Sequence, residues 1–188
     1  MKELSLNVLD IAENSLKAGA TLTEIYLTED KECLTVTVKD NGRGMSEETV
    51  KQVINPFYTT RTTRKVGLGI PLFKMAAEQT GGSIAIKSRT ADEGIDHGTE
   101  ISATFYKNHL DFTPIGDITS TIVTLVQGHP NVDFLFIHTK CGDDGQAPRQ
   151  VMLDTREIRQ ILEDIPLNSI EILGWIRENL LSQYEELK

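Results

Sequence analysis

The run Leu34-Thr35-Val36-Thr37-Val38-Lys39-Asp40-Asn41-Gly42-Arg43-Gly44-Met45 passes from a strand into a glycine-rich break within twelve residues. Leu34, Val36 and Val38 alternate with Thr35, Thr37 and Lys39, the period of a strand with one face buried. Asp40 closes the strand and Asn41-Gly42-Arg43-Gly44 breaks it. An Asn-Gly pair behind an alternating run is a strong signal for a tight hairpin turn. The same residues also suit a binding loop. A carboxylate at a strand end can accept a hydrogen bond from an amino group, and glycines let the backbone hinge over a ligand. On these residues alone both readings stand.

Upstream, Leu4, Val8, Leu9, Ile11, Ala12 and Leu16 recur at helical spacing, and Gly19 follows as the stop. The other face of that helix carries Asn7, Asp10, Asn14 and Lys17, which at 3.6 residues per turn form one polar stripe. Such a stripe reads either as a solvated face or as a set of oxygen ligands for a hard cation, with an ammonium as counter-charge for phosphate. A strand around Glu24–Leu27 separates this helix from the first run. Downstream, Ser46-Glu47-Glu48 opens a short helix that Pro56 closes, followed by a polar loop at Thr59–Val66. Gly67-Leu68-Gly69 then leads into a helix over about Ile70 to Thr80, with Pro71 in the first turn, where amides are unbonded anyway. A Gly-x-Gly at a helix start lets backbone amides approach phosphate oxygens. It lacks the lysine of a P-loop and the third glycine of the dinucleotide fingerprint. Strands at Ser83–Ser88 and Thr99–Tyr106 complete this half.

The chain has 188 residues with 19 basic and 28 acidic side chains, a net charge of −9 that argues against a nucleic-acid binder. No apolar run approaches a membrane span, and no secretory signal is visible at Met1-Lys2-Glu3-Leu4. Cys33 and Cys141 lack metal or redox spacing, which fits a reducing compartment. A cytoplasmic protein is expected.

Taken in order, the polar stripe, Asp40–Met45, Pro56-Phe57-Tyr58-Thr59-Thr60, Gly67-Leu68-Gly69 and Gly98-Thr99-Glu100 closely resemble the GHKL ATP-binding fold. That fold is shared by gyrase-type topoisomerases, heat-shock chaperones, histidine kinases and MutL-type repair proteins. The resemblance covers residues 1 to about 107. Pro56–Thr60 and Gly81-Gly82-Ser83 look like the histidine-kinase version, whereas Glu13-Asn14-Ser15-Leu16-Lys17-Ala18-Gly19 reads more like MutL. It implies ATP and Mg²⁺ as cofactors, with Asn14 ligating the ion, Lys17 facing phosphate and Asp40 binding the adenine amine. Gly42 and Gly44 would be lid hinges, Met45 would pack on the base, and Phe57 would anchor the lid. Gly67, Leu68 and Gly69 would lie along the phosphates, and Thr99 would join Asp40 in a water network. No acid occurs from Thr49 to Ala77, only Lys51, Arg61, Arg64, Lys65 and Lys74, so this basic segment, Arg61 included, suits a phosphate-facing lid.

One residue departs from the family pattern. Members that hydrolyse ATP or phosphorylate hydroxyls usually place Glu one turn before the magnesium Asn, and this chain has Asp10, one methylene shorter. Asp10 is the candidate general base. Glu13, about 60° away on the helix wheel, is the substitute. Autophosphorylation on histidine is not expected, since none of His97, His109, His129 or His138 lies in a matching helix. His138 follows Phe134 and Phe136 on one strand face and reads as a core histidine.

Beyond residue 108 the pattern predicts an α-β-β-α-α extension: a helix over Ile118–Gln127, strands at Asp133–Lys140 and Gln150–Leu153, and helices over about Thr155–Ile165 and Ser169–Glu186. Asp133–Lys140 is apolar on both faces and so central or covered. Asp143-Asp144-Gly145 lacks the spaced ligands of a cation loop and reads as a turn. Ile170, Leu173, Trp175, Ile176, Leu180 and Leu181 form a stripe expected to pack on its own domain. Residues 1–107 carry 13 basic and 15 acidic groups, and residues 108–188 carry 6 and 13, so the acidity sits in the extension. The expected architecture is α+β, a two-layer sandwich of a mixed, mainly antiparallel sheet with helices on one face, and an extension that binds a protein partner or forms a homodimer. The function expected is a stand-alone Mg·ATP-dependent kinase acting on a separate partner, as anti-sigma kinases of this family do. The alternatives are a slow ATPase with ATP-gated switching, as in MutL, and a non-catalytic nucleotide sensor.

Overall fold

The computed structural model describes residues 3–54, 68–94, 96–142, 147–162 and 165–187. Six strands form one sheet: β1 (Leu22–Glu29), β2 (Cys33–Asp40), β3 (Ser83–Arg89), β4 (Gly98–Tyr106), β5 (Asp133–Lys140) and β6 (Arg149–Asp154). Their spatial order is β3-β4-β2-β1-β5-β6. Every pairing is antiparallel except β1 with β5, which run parallel. The sheet is therefore mixed and mainly antiparallel.

Alternation decides which face is buried. Ile25 and Leu27, Leu34, Val36 and Val38, Ile101 and Phe105, Phe134 and Phe136, and Val151 and Leu153 all point the same way, into one core. Over that face lie α1 (Leu4–Lys17), α3 (Gly69–Gln79), α4 (Ile118–Gly128) and α6 (Ile170–Leu187). The layer follows the sheet: α3 covers β3 and β4, α1 covers β2 and β1, α4 covers β5, and α6 covers β6. Two shorter helices, α2 (Glu47–Val53) and α5 (Thr155–Leu162), flank it. Ser46 caps α2 by accepting from Thr49 N at 3.3 Å, and Asp117 caps α4 by accepting from Ser120 N at 2.8 Å.

The elements after residue 107 come in the expected order, α-β-β-α-α, and they extend the same sheet and the same core. β5 enters beside β1, so it is an interior strand with Phe134, Phe136 and His138 buried and Leu135 and Ile137 half-buried. The segment linking β4 to α4 is tied to the start of α1 by Leu4 N to Pro114 O at 2.9 Å and Ser5 N to Ile115 O at 2.8 Å. The stripe expected on the last helix divides between two faces. Ile176 and Leu180 are fully buried and Leu173 packs against the core, whereas Ile170, Trp175 and Leu181 face outward. At 100° per residue the first three share one arc and the last three do not. No helix among the described residues is long and apolar enough to cross a membrane. The Asp143-Asp144-Gly145 turn lies outside the described residues.

His138 is the expected core histidine. Its Nδ1 lies 2.9 Å from the Tyr184 hydroxyl of α6, and Nε2 lies 3.4 Å from Glu29 Oε2 on β1. Glu29 in turn pairs with Lys107 Nζ at 2.6 Å. Burial holds the His138 pKa below its usual value, partly opposed by Glu29 and reinforced by Lys140 and Lys107. Burial disfavours the charged Glu29 carboxylate, but the Lys107 hydrogen bond and charge outweigh it and lower its pKa. With His138 neutral in the fold and ready to protonate when unfolded, stability is complete above pH about 6.5 and declines as pH falls below it. Glu29 adds to that decline as pH falls through the carboxylate range. Stability is therefore expected to fall as pH drops from 6.5 to about 5. Thermal melts should show a flatter profile in that window for His138→Gln, and identical slopes would remove His138 as the cause.

Candidate functional site

Asp40 is the last residue of β2, with Thr99 across on β4 and Thr23 across on β1. The carboxylate is 9% exposed and held from two sides. Ser15 Oγ donates to Oδ2 at 2.7 Å from α1, and Gly42 N donates to Oδ1 at 2.8 Å from the loop. Across the strand, Ser88 Oγ accepts from Met45 N at 2.7 Å, donates to Gly98 O at 2.9 Å and lies 2.8 Å from Thr99 Oγ1. Because the one Ser88 proton goes to Gly98 O, Thr99 donates to Ser88 and keeps its lone pairs free. Asp40 and Thr99 thus present acceptors side by side, matched to a ligand edge that donates.

The glycines of the loop are required by contact. Gly44 has φ +69°, and a β-carbon there would stand 1.8 Å from Arg89 O. Gly98 has φ +135°, and its β-carbon would stand 1.9 Å from Asp40 O. Gly42 lies under Ala18 of the turn after α1, where a β-carbon would come within 3.0 Å of the Ala18 methyl. Asn41 fastens the loop by accepting from Thr21 N and Leu22 N, both at 2.9 Å. His97 Nδ1 is hydrogen-bonded to Gly42 O. These contacts set a tight turn at the end of β2.

The polar stripe of α1 meets the start of α3. A β-carbon on Gly69 would lie 3.3 Å from Asp10 Cβ and 3.5 Å from Asn14 Nδ2. The bare Gly69 lets α3 begin against both residues. Leu68 precedes it at the N-cap without a side-chain capping bond, so the first amides of α3 are left for an outside acceptor. The Asn14 carboxamide has no hydrogen bond among the described residues. Partial burial raises the Asp10 pKa, Lys17 partly opposes this, and Glu13 adds a smaller upward push. Glu13 is engaged elsewhere: Oε2 is 3.6 Å from Lys17 Nζ, and Oε1 is 3.0 Å from His129 Nε2. Asn7, at the head of the stripe, is not solvated. It is 1% exposed, faces Leu72, Met75 and Ala76 of α3 across a cavity of about 40 Å³, and neither carboxamide atom is hydrogen-bonded.

Asp10, Asn14, Ser15, Asp40, Gly42, Met45, Gly69 and Thr99 therefore fall along one line of contact between α1, α3 and the ends of β2 and β4. Phe57, Arg61 and Gly67 lie outside the described residues. Ser15 and Ser88 join this candidate site through Asp40 and Thr99, and pattern reading missed them because a lone serine carries no spacing signal. Ser15 directly follows Asn14, and Ser88 faces Thr99 in register. Among the described residues no three His, Cys, Asp or Glu side chains cluster as a metal cage. Magnesium carried by a nucleotide needs little of that kind, and the single oxygen of Asn14 suits it.

The family model for histidine kinase-, DNA gyrase B- and HSP90-like ATPases matches residues 2–109. The chain belongs to that family. Residues 2–109 are its ATP-binding domain, with sequence relatives among sensor histidine kinases. The sensor histidine kinase YvrG of Bacillus subtilis is 35% identical over 100 residues, 50% of this chain and 16% of that one. The tetrathionate sensor histidine kinase TtrS of Salmonella typhimurium is 30% identical over 112 residues, 60% of this chain and 18% of that one. The chain thus matches less than a fifth of either kinase. Among solved structures, the N-terminal domain of a DNA repair protein superposes with a TM-score of 0.56 at 15% identity, over 82% of this chain and 53% of that one. The Aquifex aeolicus MutL ATPase domain complexed with ADP gives 0.53 at 19% identity, over 73% of this chain and 60% of that one. Both spans exceed what residues 1–107 supply, so the likeness of fold continues into the extension.

Proposed function

We propose that the protein binds Mg·ATP along the line joining Asp40 to Gly69 and transfers the terminal phosphoryl group to a separate protein partner. The supporting observation is the juxtaposition at Gly69, where the uncapped start of α3 meets Asp10 and Asn14 one helix turn apart. Asp40 and Thr99, both acceptors, receive the exocyclic amine of adenine, directly or through water, and Met45 packs beside the base. The α3 amides and Lys17 face the phosphates. The Asn14 carboxamide oxygen would hold a nucleotide-borne magnesium ion, which when bound would supply neutralisation of phosphate charge. Asp10, with its raised pKa, takes the proton of the attacking hydroxyl. In this reading the acidic extension meets the partner, and the setting is cytoplasmic, where ATP is supplied.

A second reading is ATP hydrolysis that gates a change of shape. The fold match to MutL over 73% of the chain favours it, since the kinase matches stop at 50–60%. Labelled γ-phosphate separates the two. Label moving to an added protein supports the kinase, free phosphate from the protein alone supports the ATPase, and tight binding with neither leaves a sensor. Asp10→Ala should lower either rate by about 100-fold while leaving nucleotide affinity within about threefold. An Asp10→Ala variant as fast as wild type would end the assignment of Asp10 as base.

A further inference from the structure

Asn7 carries buried polar chemistry that neither the core nor the nucleotide site uses. It stands on α1 one turn before Asp10, is 1% exposed, and neither its Nδ2 nor its Oδ1 is hydrogen-bonded. Two orphaned atoms in an interior each cost stability, and native proteins rarely leave them so. The carboxamide lines a cavity of about 40 Å³ with Leu72, Met75, Ala76 and Gln79 of α3 and with Thr113 of the segment linking β4 to α4. The Gln79 carboxamide and the Thr113 hydroxyl also lack a hydrogen bond among the described residues. Three polar side chains from three elements therefore line one small space, and none of them closes on another.

The lining fixes the chemistry of the occupant. It must both donate and accept, because the Asn7 amino group and carbonyl are both unpaired. A cation would satisfy the oxygen and repel the amino group, an anion would do the reverse, and an apolar molecule would serve neither. The occupant must also be small. One water takes about 10–15 Å³ of such space, so the cavity has room for about two or three waters and little else. We propose that the cavity is a hydration site, in which ordered waters accept from Asn7 Nδ2, donate to Oδ1 and carry the bonds on to Thr113 and Gln79. The waters thereby join the linker that leads into the extension to the two helices that bring Asp10, Asn14 and Gly69 together.

Water-selective NMR spectra of the full chain test this directly. The Asn7 side-chain amide, assigned from triple-resonance spectra of the wild type, is expected to show a cross-peak to water with the sign of a bound, long-lived molecule. The cross-peak should be the same in potassium chloride and in tetramethylammonium chloride. Thr113→Val removes a partner of the waters and should shift the Asn7 amide resonance, although the two side chains share no hydrogen bond. A thermal melt separates a wet site from a dry one. Leucine nearly matches asparagine in shape, so in a dry cavity Asn7→Leu would remove two orphaned groups and raise the melting temperature. With waters bound, the same substitution breaks their bonds, and a fall of about 2–4 °C is expected. The wild-type spectra decide the matter even where a variant does not fold. No water cross-peak, a cross-peak that depends on potassium, an Asn7 amide unmoved in Thr113→Val, or an Asn7→Leu melting temperature at or above that of wild type would each overturn the proposal.

Discussion

Asp40→Asn is expected to weaken adenine-nucleotide binding by about 100-fold or more, near 2.7 kcal/mol. The carboxylate oxygens of Asp40 accept from Ser15 Oγ and Gly42 N, at 2.7 and 2.8 Å. Replacing one oxygen with an amino group sets donor against donor on whichever side it falls. If it faces Gly42, the loop loses its anchor to the strand. If it faces Ser15, the hydroxyl must turn away, and α1 loses its link to the sheet end. Either way the group offered to an adenine amine is partly a donor, and a charge-assisted bond is lost as well. Titration calorimetry with ATP, beside a thermal melt to show that the variant folds, measures the effect. Affinity equal to wild type would mean that the nucleotide does not lie against Asp40.

Much of the geometry around this candidate site was open to sequence reading because its parts announce themselves by local pattern. The alternation of Leu34, Val36 and Val38 placed Asp40 at a strand end, and helical spacing put Asp10 and Asn14 on one side of α1. Gly69 at the head of a helix completed the set. What stayed hidden depends on residues far apart in the chain. Nothing around Leu22–Glu29 signals that a strand beginning at Asp133 will lie parallel to it, because strand pairing leaves no local trace. The elements of the extension were legible one by one, but not that its strands would continue the sheet beside β1. Glu13 could be placed on the helix wheel but not paired with His129, 116 residues away, and that pairing is what draws it from the role of substitute base. Ser88 shows the same limit. A serine in an alternating strand is ordinary until the register sets it beside Thr99 and Met45. Trp175 and Leu181 joined an apolar stripe by type, and only the buried arc of α6 showed that they belong to another face.

Gly98→Ala tests whether the site and the sheet share one point of contact. Gly98 begins β4 with φ +135°, a conformation an L side chain rarely adopts, and it pairs with Arg89 of β3 beside the Asp40–Thr99 step. A β-carbon on it would stand 1.9 Å from the Asp40 carbonyl oxygen and 2.9 Å from its carbon. Both are backbone atoms fixed by the β1–β2 and β2–β4 ladders, so no rotamer change relieves the clash. Strands β2 and β4 must part where Asp40 and Thr99 face each other, at an expected cost of about 3 kcal/mol or more. For a chain of this size that corresponds to a fall in melting temperature of roughly 6–12 °C. Nucleotide binding should disappear even at temperatures where the fold persists, because the two acceptors no longer lie side by side. Gly19→Ala supplies the contrast. Gly19 also has a positive φ, +78°, but a β-carbon there meets nothing within 4 Å. It should lose only about 1 kcal/mol of backbone strain and keep its nucleotide. Equal melting temperatures for the two variants would show that the tight approach of Gly98 to Asp40 does not hold the site together.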